Sequence, residues 1–245
     1  MTDSFAEHYE LPRRRIGRLL ARGILRVLHT LGQPWCRVRI EVRDADRLAV
    51  DGPVIIAANH CSLIDTPLLY LAIPAGLRRR TATVGGLDYF EARPEHPRFE
   101  RIFRRLVIWF IRSSMNVLLI DRIHGEYDRI DRLGDVLNAG WSLMIFPEAT
   151  RSRSGLMGRF RHGAAELAGR QGVPVLPVRI DGTDQILPPG AAWLRPGRVT
   201  IAVGTPIHRD TDESASAFTA RIRTEIEALD PLDGVTQIAS LESPV

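Results

Sequence analysis

Apolar and polar positions along the chain follow two rhythms. Apolar residues three and four apart predict helices; alternating or unbroken apolar runs predict strands. Ile16, Leu19, Leu20, Ile24, Val27, Leu28 and Leu31 predict an amphipathic helix over 13–31, ended by Gly32-Gln33-Pro34. Residues 37–42 alternate as a strand with one wet face, and Asp51-Gly52-Pro53 turns into a buried strand over 54–58. Further strands are predicted over 81–84, 117–120, 142–146, 173–180 and 199–203, and helices over 67–75, 127–137, 163–170 and 214–229. Pro174 and Pro177 interrupt one of these strands, which places it near an edge or a bulge. Strands alternating with helices imply an α/β fold, with a mixed, largely parallel central sheet flanked by helices. The chain divides into a basic amphipathic segment over 1–36, one folded domain over 37–230 and a tail over 231–245.

Charge changes this picture in one respect. All 33 basic residues are arginine, so no lysine can act as nucleophile or phosphate ligand. Arginine forks suit phosphate and carboxylate, and a net charge of +4 draws the protein weakly towards anionic partners. Arg15, Arg18, Arg22 and Arg26 form a stripe beside the apolar face of the first helix. Such a helix either lies in the interface of an anionic membrane or packs on the domain with its arginines solvated. Residues 98–111, where Phe99, Phe103, Trp109 and Phe110 are interleaved with Arg98, Arg101, Arg104 and Arg105, read as a core helix with a solvated face or as a second surface facing a membrane or an acyl chain.

Cys36 and Cys61, the two cysteines, make neither a disulfide framework nor a zinc site, and point to a reducing compartment. The amino terminus lacks the shape of a signal peptide, and no apolar run approaches the ~20 residues that span a bilayer. Nucleic-acid binding is disfavoured, since no aromatic stacking platform accompanies the arginines.

Three polar clusters stand where predicted strands end: residues 59–65, Asp121-Arg122, and residues 147–151. Ligands in such folds gather outside the carboxyl ends of strands, so the clusters are expected to form one site. His60 and Asp65 have the spacing that lets a carboxylate reach back to an imidazole from the first helical turn. A histidine so held can take a proton from a hydroxyl near neutral pH. Arg151 with two hydroxyls just past a strand suits a phosphate.

Taken in order, these residues resemble the glycerophospholipid acyltransferase family of the PlsC type. Asn59, His60 and Asp65 match its Asn-His-x-x-x-x-Asp motif, and Asp121-Arg122 matches the end of its second. Residues 146–152 match Phe-Pro-Glu-Gly-Thr-Arg-Ser at every position but one, and residues 173–177 match Val-Pro-Val-x-Pro. The departures are Ala149 in place of glycine, Arg161 in place of the usual lysine after the third motif, and no lysine near Gly85-Gly86. A methyl at Ala149 narrows backbone approach to a phosphate or forbids positive φ. Without the lysine, the acceptor phosphate must be held by Arg78, Arg79 or Arg80, or the head group must differ.

The resemblance implies a glycerol-3-phosphate acyltransferase-like fold and transfer of a fatty acyl group to the free hydroxyl of a lysophospholipid. The leading acceptor is 1-acyl-glycerol-3-phosphate, giving phosphatidic acid; a different lysolipid, or a non-catalytic membrane-binding module, is the alternative. The donor is acyl-CoA or acyl carrier protein, used as co-substrate, with no cofactor and no metal. His60 is the implied general base and Asp65 its orienting partner. Asn59, Ser62, Arg122, Glu148, Thr150 and Arg151 are the implied substrate-binding residues, Arg122 alternatively holding its strand end by pairing with Asp121. Cys61, beside His60, is a conceivable but disfavoured thiol nucleophile. The implied location is the cytoplasmic face of the cell membrane, attached peripherally or monotopically.

Overall fold

The computed structural model describes residues 38–86, 115–120, 126–152, 156–188, 191 and 195–229. The helix expected over 13–31, the segment over 98–111, Asp121-Arg122 and the tail lie outside these residues. Seven strands form one sheet: β1 (Val38–Arg43), β2 (Ile55–Ala58), β3 (Thr81–Gly86), β4 (Val117–Ile120), β5 (Ser142–Ile145), β6 (Val175–Asp181) and β7 (Gly197–Val203). Their order is β1-β7-β6-β2-β5-β3-β4. Every neighbouring pair is parallel except β6 with β7. The helices are α1 (Asp65–Ala72), α2 (Ala75–Arg78), α3 (Glu126–Asn138), α4 (Gly163–Gln171), α5 (Thr183–Ile186) and α6 (Ala215–Ala228).

The unbroken apolar run at β2 follows from burial on both faces. Ile55 and Ala57 join a core beneath α3, α4 and α6, with Leu133, Val136, Leu167, Phe218 and Ile222. Ile56 and Ala58 point the other way, into a second core with Leu69, Tyr70, Leu176 and Ile201. Ala164, Ala165 and Ala168 give α4 a small-residue face that is buried against the sheet side. Gly172, at φ +63°, ends α4, and the Ser214 hydroxyl accepts the Ala217 N–H to open α6. α1 starts two residues before the apolar pattern because Pro67 falls in its first turn, where the missing N–H breaks no helical bond.

β6 is a central strand, and Pro177 sits in it at a bulge, while Pro174 precedes its first residue. β6 pairs with β7 at Val178↔Val203 and meets the chain again at Val175↔Ile207. Leu176 and Pro177 therefore face Gly204, Thr205 and Pro206, one residue more, and the ladder slips. The Pro177 carbonyl still accepts the Gly204 N–H at 2.8 Å. The proline lacks a donor at the place where the opposing chain bulges away.

Candidate active site

β2 and β5 are hydrogen-bonded neighbours running in the same direction, so the chains leaving them emerge side by side. β2 delivers Asn59 and His60, and α1 then begins at Asp65, which is wholly buried. The Asp65 carboxylate folds back over this turn. Its Oδ2 lies 2.8 Å from Nδ1 of His60 and accepts the N–H groups of Cys61 and Ser62, each at 2.7 Å. Oδ2 can only accept, so Nδ1 carries the proton and Nε2 is the ring atom able to take one.

The chain leaving β5 clasps His60 from the other side. Phe146 stacks on the imidazole, centroids 4.2 Å apart and planes 22° from parallel. Glu148 Oε1 accepts the His60 N–H at 2.8 Å, and Oε2 accepts the Gly158 N–H at 2.8 Å. The His60 carbonyl in turn accepts the Ser152 N–H at 2.8 Å. The ring is thus fixed at its edge, its face and its backbone. A Cβ added to Gly158 would stand 3.0 Å from Oε2, so glycine is what lets the loop approach. Phe146 as a stacking partner and Gly158 as an anchor carried no signal in the sequence beyond lying in or near the third motif.

Asn59 and Ser62 are buried and turned towards protein. The Asn59 amide donates to the Ile180 carbonyl at 2.8 Å and accepts the Ile180 N–H at 2.7 Å, pinning the end of β2 to β6. The Ser62 hydroxyl donates to the Leu187 carbonyl at 3.0 Å. Burial, reinforced by the carboxylates of Asp65 and Asp184, pushes the Cys61 thiol up to about 12. A thiol with so little thiolate at neutral pH is no nucleophile. Iodoacetamide at mildly alkaline pH is expected to spare Cys61 in the native protein and label it in urea, as peptide mass spectrometry would read. The unfolded thiol ionises near 9 and the folded one near 12. This group's contribution to stability is therefore intact below pH 9 and lost as pH rises from there.

Thr150 is exposed and Arg151 half-buried at the mouth of this loop. Arg122 lies outside the described residues.

The Acyltransferase family model matches residues 39–181, more than half of the chain and the span that holds His60, Asp65 and Glu148. The chain belongs to the Acyltransferase family. It is 27% identical over 190 residues to the chloroplastic 1-acyl-sn-glycerol-3-phosphate acyltransferase LPAT1 of Arabidopsis thaliana, covering 74% of this chain and 48% of that one. It is 26% identical over 193 residues to the 1-acyl-sn-glycerol-3-phosphate acyltransferase of Pseudomonas aeruginosa, covering 73% and 67%. The chain spans about half the length of the plant relatives it matches. The crystal structure of the 1-acyl-sn-glycerophosphate acyltransferase PlsC from Thermotoga maritima shares the fold, with a TM-score of 0.61 at 24% identity over 94% of this chain and 88% of that one.

As a member of the Acyltransferase family, this chain departs from the family pattern in ways the structure makes concrete. Ala149 does adopt positive φ, +58°, so the methyl does not forbid it. The left-handed conformation costs an L-residue about 1–2 kcal/mol, and a glycine there loses about 0.4–1 kcal/mol through its freer unfolded chain. Ala149→Gly is therefore expected to raise stability by about 0.5–1 kcal/mol in urea unfolding. Arg78, Arg79 and Arg80 immediately precede β3, which runs parallel to β5. They stand at the opposite end of the sheet from His60, a strand length of about 20 Å away. Arg80 lines a cleft there with Leu48, Val50, Leu77 and Ser142, and Arg78 donates to the Leu71 carbonyl. These three arginines are too distant to replace the missing lysine.

Proposed function

We propose that the chain transfers a fatty acyl group from acyl-CoA or acyl carrier protein to the free hydroxyl of a lysophospholipid, converting 1-acyl-glycerol-3-phosphate to phosphatidic acid. The observation that carries this reading is the His60–Asp65 pair, with Nδ1 committed to the carboxylate and the ring clamped by the third motif. Nε2 of His60 takes the proton of the acceptor hydroxyl as its oxygen attacks the thioester carbonyl. The resulting oxyanion collapses, the carbon–sulfur bond breaks, and the imidazolium returns its proton to the departing thiolate. Asp65 stabilises the imidazolium while it lasts. The amides of His60, Cys61 and Ser62 are already held by carboxylates, so donors to the oxyanion come from elsewhere.

Arg151 and Thr150 are assigned to the acceptor's phosphate side, and Arg122 is assigned to substrate binding by its place in the second motif. Asn59, Ser62 and Glu148 act by holding the loops, since their polar atoms engage backbone groups. The protein works at the cytoplasmic face of a membrane, attached peripherally; no helix among the described residues is long and apolar enough to cross one.

A second reading keeps the chemistry and changes the acceptor to another lysolipid. The absence of lysine and the remoteness of Arg78–Arg80 favour it. The test is thiol release from palmitoyl-CoA by the full chain on liposomes, with lysophosphatidate and other lysolipids in turn. Release that needs lysophosphatidate and disappears in His60→Ala supports the first reading. Release that needs a different lysolipid supports the second. Release without any acceptor identifies a thioester hydrolase, and no release with any donor leaves a non-catalytic membrane module.

A further inference from the structure

We propose that Leu63 and Leu156 form an apolar rim beside His60 that inserts into the interface of an anionic bilayer. They are the large hydrophobic side chains left exposed among the described residues, at 49% and 75%. A scattered exposed leucine needs no explanation. Two that converge on one catalytic pair do.

Their convergence follows from the loop bonds. Leu63 lies in the turn between β2 and α1, three residues after His60. Leu156 lies on the chain leaving β5, two residues before Gly158, whose N–H is joined through Glu148 to the N–H of His60. The Arg161 N–H donates to the Pro147 carbonyl at 2.9 Å and closes the base of the same loop. Both leucines are therefore held at the carboxyl end of the sheet, where β2 and β5 open. Arg159 and Arg161, both exposed, stand on the Leu156 loop.

An apolar tip with flanking arginines matches the two layers of a membrane interface, acyl region and anionic head groups. An acidic protein partner would use the arginines but has no need of a leucine as exposed as Leu156. The inference rests on the proposed function in one respect: a lysolipid acceptor already lies in such a surface. A rim at the site then spares the acyl chain a passage through water.

The test uses the full chain carrying Leu63→Ser and Leu156→Ser together. Both side chains are exposed, so the fold is expected to survive, as circular dichroism would verify. Binding to phosphatidylcholine vesicles containing about a third phosphatidylglycerol is expected to weaken about tenfold. Turnover of short-chain thioester and lysolipid, dissolved as monomers, is expected to stay within twofold of the parent. A fluorophore on Leu156→Cys, with Cys36→Ser, should shift to the blue on vesicles, and one on Asp51→Cys at the far end of the sheet should not. Unchanged vesicle binding by the double variant overturns the proposal. So does unchanged vesicle binding with a loss of activity confined to acyl carrier protein donors, which would make the rim a protein-docking face. Vesicle binding needs no turnover, so this result is separate from failure of the acyl-transfer reading.

Discussion

Asp65→Asn is expected to lower kcat for acyl transfer about 10²- to 10³-fold while the fold survives. Three donors converge on Oδ2: Nδ1–H of His60 and the N–H groups of Cys61 and Ser62. Each requires an oxygen, so the asparagine amide has one orientation, with its carbonyl at the Oδ2 position. Its NH₂ then falls where Oδ1 stands, a buried atom that has no partner among the described residues. The tautomer of His60 is kept and only the negative charge is removed. The imidazolium that forms during transfer then lacks the anion that stabilises it, and kcat falls. An unchanged kcat in this variant would mean that Asp65 acts only as a structural peg.

Asp65→Ala separates these roles. It leaves the amides of Cys61 and Ser62 buried without an acceptor, which costs about 2–6 kcal/mol at roughly 1–3 per group. The imidazole is also released from its partner. Activity should fall at least as far as in the asparagine variant, with a lower midpoint of urea unfolding. The asparagine variant should unfold close to the parent.

Much of this arrangement was legible in the chain, for identifiable reasons. β2 and β5 read as buried strands because both faces of each are covered, so the one polar residue in them is Ser142, at the start of β5. The His60–Asp65 pair was legible because both partners lie within one turn, where spacing alone fixes reach. Long-range bonds left no such trace. The Asn59–Ile180 clamp joins residues 121 apart, and an asparagine that binds backbone reads the same in sequence as one that binds substrate. The same ambiguity covers Ser62 and Leu187. Arg78, Arg79 and Arg80 were misplaced because sequence proximity to Gly85-Gly86 says nothing about which end of β3 they occupy. The strand itself carries them to the far side of the sheet. Pro174 and Pro177 point equally to an edge or a bulge, and the sequence does not tell which; the structure has a bulge, on a central strand.

Glu148 supplies the sharpest separation between holding a site and binding a substrate. Its two oxygens are both used, one by the His60 N–H and one by the Gly158 N–H, and its residue is buried. Glu148→Ala should therefore lower kcat about 10²-fold and leave KM for the lysolipid within a few-fold, with a stability loss of about 1–3 kcal/mol, smaller than in Asp65→Ala because the two orphaned amides are only part-buried. A carboxylate that contacted the acceptor would instead raise KM at nearly constant kcat. Glu148→Gln keeps one acceptor and turns an NH₂ against the other amide, so it should fall between parent and alanine. Glu148→Asp is one methylene too short to reach both loops and should resemble the glutamine. Gly158→Ala provides an independent probe, because its methyl meets Oε2 at 3.0 Å and displaces the same carboxylate without altering it. If Glu148 acts by fastening His60, the combined Glu148→Gln and Gly158→Ala variant should be scarcely worse than the more damaging single change. Additive losses would show that the two residues serve the reaction separately, and the carboxylate would then belong to the substrate.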